Sequence, residues 1–422
     1  MVQKRYSKLI ENIFSLLTLR VLEYVLAFIL VPYLIRILGP MNFGAIAFMQ
    51  GIMEYFRIFV DYGYSLTAPK EIAQADGDIK RLFSKYFYGK LILLIGVTLI
   101  FFCIYQLQYY ILGKSINILL FEVMYFGIIG NVLFPVWFFQ GIQQMRYITI
   151  LNMSGRIISM IGIFLLVKSP DDYILSAFLQ SCTPLIAGIF SIFWLVRNYK
   201  GIFNFPEFSD VILSYKEGWT IFISSLAVNL YTTTNVVVLG MFTDNIVVGY
   251  YSAADKLINC IRRGISAVSE AIYPFVSKLI KSDIREALFF IRKQLGIYIV
   301  SGIIGCTLLF VYADEIVMFL IGPTYLMTVD ILRVLSFLPL IVAVSTIFGA
   351  EIMLPTNMYN IYSRILVSAA IFSLVIIFPL CYWFTAVGVA MTMLVTELFI
   401  TIYMGIILWQ KGRYLKKRYI NR

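Results

Sequence analysis

Gly51-Ile52-Met53-Glu54-Tyr55-Phe56-Arg57-Ile58-Phe59-Val60-Asp61-Tyr62-Gly63 is an apolar run that carries three charged residues. Glu54, Arg57 and Asp61 are spaced i, i+3, i+7, so a helix presents them on one face. A charge at the centre of a bilayer costs about 2.5–3.5 kcal/mol on insertion scales, and such residues usually face a bundle interior or a watery cavity. The stretch therefore predicts a membrane helix in a protein that binds or moves something polar.

The composition of the whole chain agrees with this interpretation. The hydrophobic fraction is 61%, the charged fraction is 14% and the mean hydropathy is +0.87. A soluble globular domain is much less apolar. Because the apolar runs are long and do not alternate with polar residues, we predict an all-α integral membrane protein and not a β-barrel.

The chain has room for about twelve transmembrane helices of roughly 20 residues. Lys and Arg concentrate at both ends and in three longer connections, near 66–90, 197–216 and 277–293. The positive-inside rule then predicts that both termini are cytoplasmic. Residues 79–87 are predicted to form an amphipathic helix on the membrane surface. The predicted spans are 10–37, 43–65, 85–107, 116–140, 147–168, 173–196, 217–242, 247–276, 292–313, 326–349, 360–383 and 386–409.

The spans divide into two predicted six-helix bundles, at 1–200 and 217–422, joined by a cytoplasmic linker at 201–216. A weak internal repeat supports this division, because Gly44 and Gly249 each open a span after a short external turn and charged residues follow both. Repeated halves that flank a site at the membrane midplane are typical of transporters.

Several classes of chemistry are disfavoured by what the sequence contains. It has no histidine, and its five cysteines are scattered without a CxxC pair, so we predict no metal site and no cofactor. No phosphate-binding P-loop occurs, and the longest polar connection is too short for a catalytic domain, so we predict that the protein is not an enzyme. The basic residues behind the net charge of +11 lie in connections, which indicates membrane topology and no nucleic-acid partner.

Charged residues inside other spans are the remaining candidates for a site. In the first span, Arg20 and Glu23 are spaced i, i+3 and form either a structural ion pair or a cavity cation with its counter-charge. In the second, two acids surround one base, so Glu54 or Asp61 is a candidate proton or cation site; alternatively, Asp61 lies at the cytoplasmic interface. Arg156 is a weaker candidate.

The eighth span carries Asp255 and a stripe of polar residues on one helix face. This stripe either fastens the bundle or lines a transport cavity. Its members are Lys256, Asn259, Arg263 and Glu270. Among other intramembrane charges, Glu351 is expected to be an interface anchor, and Glu397 a lone membrane carboxylate.

Four groups of short motifs carry a resemblance to a known family. They are Leu38-Gly39-Pro40-Met41-Asn42-Phe43-Gly44 with Asp61-Tyr62-Gly63 and Lys70-Glu71-Ile72-Ala73; Phe134-Pro135-Val136-Trp137-Phe138-Phe139-Gln140-Gly141 with Arg146-Tyr147-Ile148-Thr149; Ala254-Asp255-Lys256-Leu257 with Tyr273-Pro274 and Ser277-Lys278; and Gly322-Pro323-Thr324-Tyr325 with Ile331-Leu332-Arg333. In order and spacing, the chain resembles the O-antigen flippases (Wzx type) of the polysaccharide-transporter family. That family shares a superfamily with the MATE exporters and the lipid II flippases.

The resemblance implies a MATE-like, V-shaped fold that opens alternately to each membrane face. It implies a substrate of undecaprenyl-pyrophosphate-linked oligosaccharide, moved to the periplasmic leaflet of the inner membrane for O-antigen and lipopolysaccharide biosynthesis. A polysaccharide polymerase and a chain-length regulator are implied as partners, and H⁺ or Na⁺ as a coupling ion. The lipid II flippases carry two further spans, which argues against a peptidoglycan precursor as substrate.

Lipid II flippases have cavity cations in spans one, two and eight, and Arg20, Arg57 and Lys256 lie at similar places here. We therefore expect these three residues to bind the pyrophosphate, since arginine forks suit phosphate oxygens. Arg263 and Arg156 are weaker candidates for the same role. Glu23, Glu54, Asp61 and Asp255 are expected to balance these charges or to bind the coupling ion.

Three alternatives remain from the sequence. A MATE-like drug/cation antiporter is expected to have acidic cavity residues, whereas the set here is basic. A membrane polymerase or glycosyltransferase usually has a large external loop, which this chain lacks. A purely structural scaffold is disfavoured by the cost of so many membrane charges.

Overall fold

A computed structural model describes the backbone of residues 2–74, 78–112 and 117–419. Side chains at 2–25, 27, 104–112, 271, 274, 281 and 412–419 lie outside the description. Within these limits the fold is entirely helical, as predicted, and contains no β-strand. The α-helices are α1 Val2–Asp61, α2 Tyr64–Gln74, α3 Ile79–Leu112, α4 Ile118–Leu133, α5 Val136–Gly141, α6 Met145–Leu166, α7 Tyr173–Asn198, α8 Phe208–Thr232, α9 Thr234–Phe242, α10 Asn245–Ser282, α11 Ile284–Val311, α12 Ala313–Leu320, α13 Thr328–Leu335, α14 Leu338–Thr346 and α15 Tyr359–Tyr419. Short 3₁₀ turns lie at Pro170–Asp172 and Pro323–Tyr325, and a π-helix at Ile347–Met353.

Eight helical segments of the described chain are long and apolar enough to cross a membrane, or nine if the bent pair α8 and α9 forms one span. Two of these segments, 28–74 and 359–411, are far longer than one crossing. Each is interrupted by a residue with positive φ, at Gly39 (70°) and at Thr385 (49°). Both breaks fall at predicted external connections. The protein is therefore a multi-pass helical membrane protein.

The chain forms two compact units, which we call the N-terminal unit (Met1–Leu26 with Ala45–Leu226) and the C-terminal unit (Ala27–Gly44 with Ala227–Arg422). Residues 27–44 thus pack with the second half of the chain. The segment predicted to be a linker, 201–216, lies inside the N-terminal unit, where Ile202 and Ser214 are buried.

The core of the N-terminal unit lies where α2, α3, α5 and α7 meet. Phe83 and Tyr86 of α3 are fully buried there against Trp137 and Phe138, two residues of the second motif group. The prediction of a surface helix over 79–87 is therefore wrong. Its apolar face contacts protein instead of lipid head groups, because α3 continues without interruption from Ile79 into a membrane segment.

In the C-terminal unit, a close backbone approach joins the first motif to the start of α10. A Cβ atom added to Gly249 would overlap the carbonyl oxygen of Pro40, and one added to Gly44 would overlap that of Asn245. The two glycines that suggested an internal repeat are thus on facing helices, where small residues let backbones come together.

We expect Gly249→Ala to destabilise the protein by about 1–3 kcal/mol, because the added methyl group has no space. Gly264→Ala, on the same helix with nothing within 4 Å of its added Cβ, is the matched control. That control should be neutral or stabilising, since Ala favours helices over Gly by about 1 kcal/mol. Thermal unfolding of the two purified variants in detergent tests this difference, and equal midpoints would contradict it.

Candidate functional site

The three charged residues of the opening stretch form one connected cluster with a fourth residue. The guanidinium of Arg57 donates from Nε to Glu54 Oε2 at 2.8 Å and from Nη2 to Glu54 Oε1. Its Nη1 donates to Asp61 Oδ2 at 3.1 Å. Lys90 of α3 donates to the other oxygen, Asp61 Oδ1, at 2.5 Å. We call these four residues the Arg57 cluster; the shared helix face predicted for the first three is confirmed.

Lys90 changes the charge balance of this cluster. From the sequence, two acids surrounded one base, which suggested a carboxylate without a counter-ion. Lys90 is only 4% exposed and supplies the second cation, so the cluster contains two acids and two bases. The sequence does not predict this role, because Lys90 belongs to the basic connection near 66–90 and indicates only membrane topology there.

Arg57 keeps donors available for a ligand. Its side chain remains 41% exposed even while it forms ion pairs with Glu54 and Asp61. The three hydrogen bonds use one N–H on each nitrogen, and a guanidinium has five. Two N–H groups therefore have no partner among the described residues, and on a side chain this exposed they can donate to a phosphate oxygen.

Aromatic rings lie directly beside this cluster. Tyr62 stacks on Phe222 of α8, with ring centroids 4.7 Å apart, and Phe59 contacts the same ring at 5.3 Å. Tyr62 and Gly63 both have positive φ, at 44° and 79°. A Cβ on Gly63 would lie 2.8 Å from the carbonyl oxygen of Gly218. The Asp61-Tyr62-Gly63 motif thus ends α1 in a tight turn against α8. In this turn Asp61 accepts hydrogen bonds from Arg57 and Lys90, and Tyr62 stacks on Phe222.

A second buried cation of the N-terminal unit is Lys85, which the sequence also placed in a connection. Its side chain is 6% exposed, and its Nζ donates to Glu71 at 3.0 and 3.1 Å and to Glu217 at 3.1 Å. Glu71 belongs to the Lys70-Glu71-Ile72-Ala73 motif. This cluster joins α2, α3 and α8.

The C-terminal unit contains a third network, on α10 and α15. Asn259 donates to Asp255 at 2.8 Å, and Arg262 donates to Asn259 at 3.2 Å and to Glu397 at 3.3 Å. Glu397 is 7% exposed. The expectation that Glu397 is a lone carboxylate is wrong, since its partner Arg262 comes from a helix that is distant in sequence.

The remaining predicted cations lie at different depths. Lys256 is half-buried, with its Nζ 5.2 Å from the centre of the Phe43 ring. Arg263 is exposed on the same helix, and Arg156 is half-buried in α6. The side chains of Arg20 and Glu23 lie outside the described residues.

The fourth motif group forms a turn that stabilises the C-terminal unit. Gly322, with φ at 110°, starts the turn that buries Tyr325 completely. The Tyr325 hydroxyl donates to the carbonyl oxygen of Ile35 at 3.0 Å, and Arg36 donates to the carbonyl oxygens of Phe319 and Leu320. These bonds hold residues 27–44 in this unit.

Solved structures share this fold over nearly the whole chain. An inward-facing multidrug resistance MATE family transporter matches with a TM-score of 0.72 and 13% identity, over 94% of this chain and 95% of that one. The lipid II flippase MurJ, in an inward closed conformation, matches with a TM-score of 0.71 and 11% identity, over 96% and 87%. At such identities the likeness establishes the MATE-like transporter fold.

Relatives are also found at the level of sequence. A protein of Escherichia coli (strain K12) named "Putative O-antigen transporter" is 31% identical over 396 residues, 93% of this chain and 94% of its own. One of the same name from Shigella dysenteriae is 30% identical over 402 residues, 93% and 98% of the two chains. The model of the family described as "Polysaccharide biosynthesis protein" matches residues 9–280. The predicted resemblance is confirmed, and the chain belongs to the polysaccharide biosynthesis protein family.

Proposed function

We propose that this protein is a flippase for undecaprenyl-pyrophosphate-linked oligosaccharide, an O-antigen repeat unit or a related one. By alternating access it moves this lipid from the cytoplasmic to the periplasmic leaflet of the inner membrane. The observation that carries the proposal is the Arg57 cluster, in which a membrane helix holds an arginine with an accessible guanidinium edge. The names of the relatives support the same substrate class.

The pyrophosphate is the part of this substrate that most needs the protein. In a low-dielectric environment its charges require cations and N–H donors. Arg20, Arg57 and Lys256 bind it, with Arg263 and Arg156 as additional contacts at other stages of transport. The polyprenyl tail stays in lipid, and the exposed rings beside Arg57, such as Phe59 and Trp219, offer stacking faces to sugars.

The acidic residues hold these cations when no substrate is bound. Glu54 and Asp61 position Arg57, and Asp255 belongs to the network that includes Arg262. Glu23 is assigned the same role beside Arg20. A phosphate that approaches Arg57 binds the two N–H groups that the carboxylates leave open, and Glu54 and Asp61 continue to balance the cation after the phosphate leaves.

Twelve crossings with both termini cytoplasmic fit this function. The long segments 28–74 and 359–411, broken at Gly39 and Thr385, then cross more than once. The amphipathic α10 supplies another crossing, with Asp255, Lys256 and Asn259 half-buried on its polar face. Beyond the membrane, a polysaccharide polymerase and a chain-length regulator are the proposed partners, and H⁺ or Na⁺ the coupling ion.

Purified protein in liposomes tests the proposal directly. A fluorescent undecaprenyl-pyrophosphate oligosaccharide should become accessible to an impermeant quencher from the opposite leaflet at a rate far above that of empty liposomes. Transport of cationic drugs without movement of this lipid would support the antiporter instead and refute the proposal.

Lys256→Glu is expected to reduce this rate at least about tenfold, because a carboxylate in place of a cation repels the pyrophosphate. Lys256→Arg preserves the charge and should retain most activity. Lys278→Glu, an exposed charge reversal on the same helix, controls for net charge. Wild-type rates in Lys256→Glu would remove this residue from the binding site.

A further inference from the structure

The C-terminal unit buries a carboxyl group that the sequence assigned to the membrane interface. Glu351 is 0% exposed, so that expectation is wrong. It lies in the π-helix Ile347–Met353, which continues α14 to the end of an apolar membrane segment. Insertions of π-helix within α-helices occur frequently at functional sites.

The hydrogen bonds of Glu351 are unevenly distributed between its two oxygens. Ser269 of α10 donates to Oε1 at 2.8 Å, and Gln294 of α11 donates from Nε2 to the same oxygen at 3.0 Å. The other oxygen, Oε2, is buried and has no partner in the described part of the chain. Among the described residues, Gln294 Oε1 and the Tyr298 hydroxyl are also buried without a hydrogen-bond partner, and Tyr298 follows Gln294 by one helical turn.

Apart from Ser269, Gln294 and Tyr298, apolar side chains surround this group. Val276, Ile291 and Ile347 form the buried cluster next to it. On α10 and α11, the charged residues adjacent to its two donors are exposed: Glu270, Arg292 and Lys293. From α15 the titratable neighbour is Tyr362, which contacts Gly349, and α14 contributes no titratable group. Among the described residues, no cation lies within ion-pair distance of Glu351.

An ionised carboxylate without a cation is very costly in such an environment, and a buried group usually becomes neutral instead. A proton on Oε2 removes the charge and also turns an unsatisfied acceptor into a donor. Gln294 Oε1 and the Tyr298 oxygen, two buried acceptors without a partner among the described residues, lie one turn apart on the helix that donates to Glu351. The pattern of bonds is therefore that of a carboxylic acid.

We propose that Glu351, held by Ser269 and Gln294, is a buried proton-binding site of the C-terminal unit, and that its proton is exchanged during transport. Glu351 is two residues from the end of the membrane segment 328–353, so a small shift of the π-helix brings it to water, where it loses the proton. The transport half of this inference rests on the proposed function; the binding half does not.

A proton fits the site better than a metal cation. Ser269 and Gln294 both present hydrogen-bond donors to the carboxyl group, whereas a cation needs several converging oxygens. Within the described residues there is also no group of three or more acidic or cysteine side chains that could hold a metal ion.

Infrared spectroscopy tests the binding half without any transport. A buried protonated carboxyl group in the purified protein gives a carbonyl band that shifts on H/D exchange. That band should disappear in Glu351→Gln, which keeps the size and the acceptor oxygen, and should persist in Glu122→Gln, an exposed membrane carboxylate. Ser269→Ala, which removes one donor to Oε1, should shift the band and provides a second readout if Glu351→Gln folds poorly. An unchanged band in both Glu351→Gln and Ser269→Ala would overturn the proposal.

Transport in liposomes tests the coupling half. A gradient of about one pH unit changes the equilibrium ratio of transported lipid by at most about tenfold per coupled proton. It should accelerate lipid movement several-fold in the wild type and not in Glu351→Gln. Equal acceleration in both proteins, or acceleration by a sodium gradient alone, would overturn the coupling. If the wild type moved no lipid, the proposed function would fail, while the infrared result would still decide the proton site.

Discussion

Arg57→Glu should abolish surface polysaccharide in cells that depend on this protein for export, while the protein remains in the membrane. The substitution places three carboxylates, at positions 54, 57 and 61, in a cluster whose remaining cation is Lys90, which donates to Asp61. The guanidinium edge that suits a phosphate is lost at the same time. Surface polysaccharide on gels and protein level by immunoblot are the two measurements.

Two variants separate the possible reasons for such a loss. Arg57→Lys keeps the charge but loses the bidentate fork, so transport should fall about tenfold or more, the value of one hydrogen bond to a charged group. Arg197→Glu, an exposed reversal of the same residue type in the same unit, should export normally. Full export by Arg57→Glu would remove the Arg57 cluster from the substrate pathway.

Lys85→Met should cause the largest loss of stability, about 3 kcal/mol. Removing one member of a buried ion cluster leaves its partners uncompensated, which typically costs about 3–5 kcal/mol. We expect the lower end because Glu71 and Glu217 are 29% and 38% exposed, although Lys85 itself is 6% exposed. The unfolding midpoint in detergent should fall by several degrees.

Restoring the charge balance is the matched test of that explanation. Glu71→Gln with Glu217→Gln in the Lys85→Met protein should recover most of the lost stability, because an apolar or neutral replacement of a buried ion cluster is often tolerated. Lys80→Met, on the exposed side of the same helix, should change little. If the triple variant were as unstable as Lys85→Met, lost packing and not uncompensated charge would be the cause.

Local sequence predicts only part of the Arg57 cluster. The spacing of Glu54, Arg57 and Asp61 was sufficient to place them on one helix face, because helical periodicity is a local property. Lys90 was missed because it follows Asp61 by 29 residues, on another helix. Its basic side chain near a connection resembled a topology signal.

For Glu351, the sequence predicted a position at the membrane interface, whereas the structure buries the residue. Position along the chain suggested an interface carboxylate, since the predicted span 326–349 ends two residues before Glu351. The burial of Glu351 depends on α10 and α11, which place Ser269 and Gln294 in contact with its carboxyl group. The signal that was available in the sequence, a glutamate within an apolar run, did not reveal which neighbours would cover it.

The sequence by itself determined the membrane class, the helical architecture, the positions of the breaks near Gly39 and Thr385, and the family, because apolar length, turn residues and motif order are local or additive features. Only the tertiary structure decided which charges are paired: Asp61 with Lys90, Lys85 with Glu71 and Glu217, Arg262 with Glu397, and Glu351 with no cation among the described residues. The reason is physical. The charges between Glu54 and Asp61 imply a polar environment, but whether a membrane charge is balanced depends on side chains from other helices within about 4 Å, and that distance is set by packing.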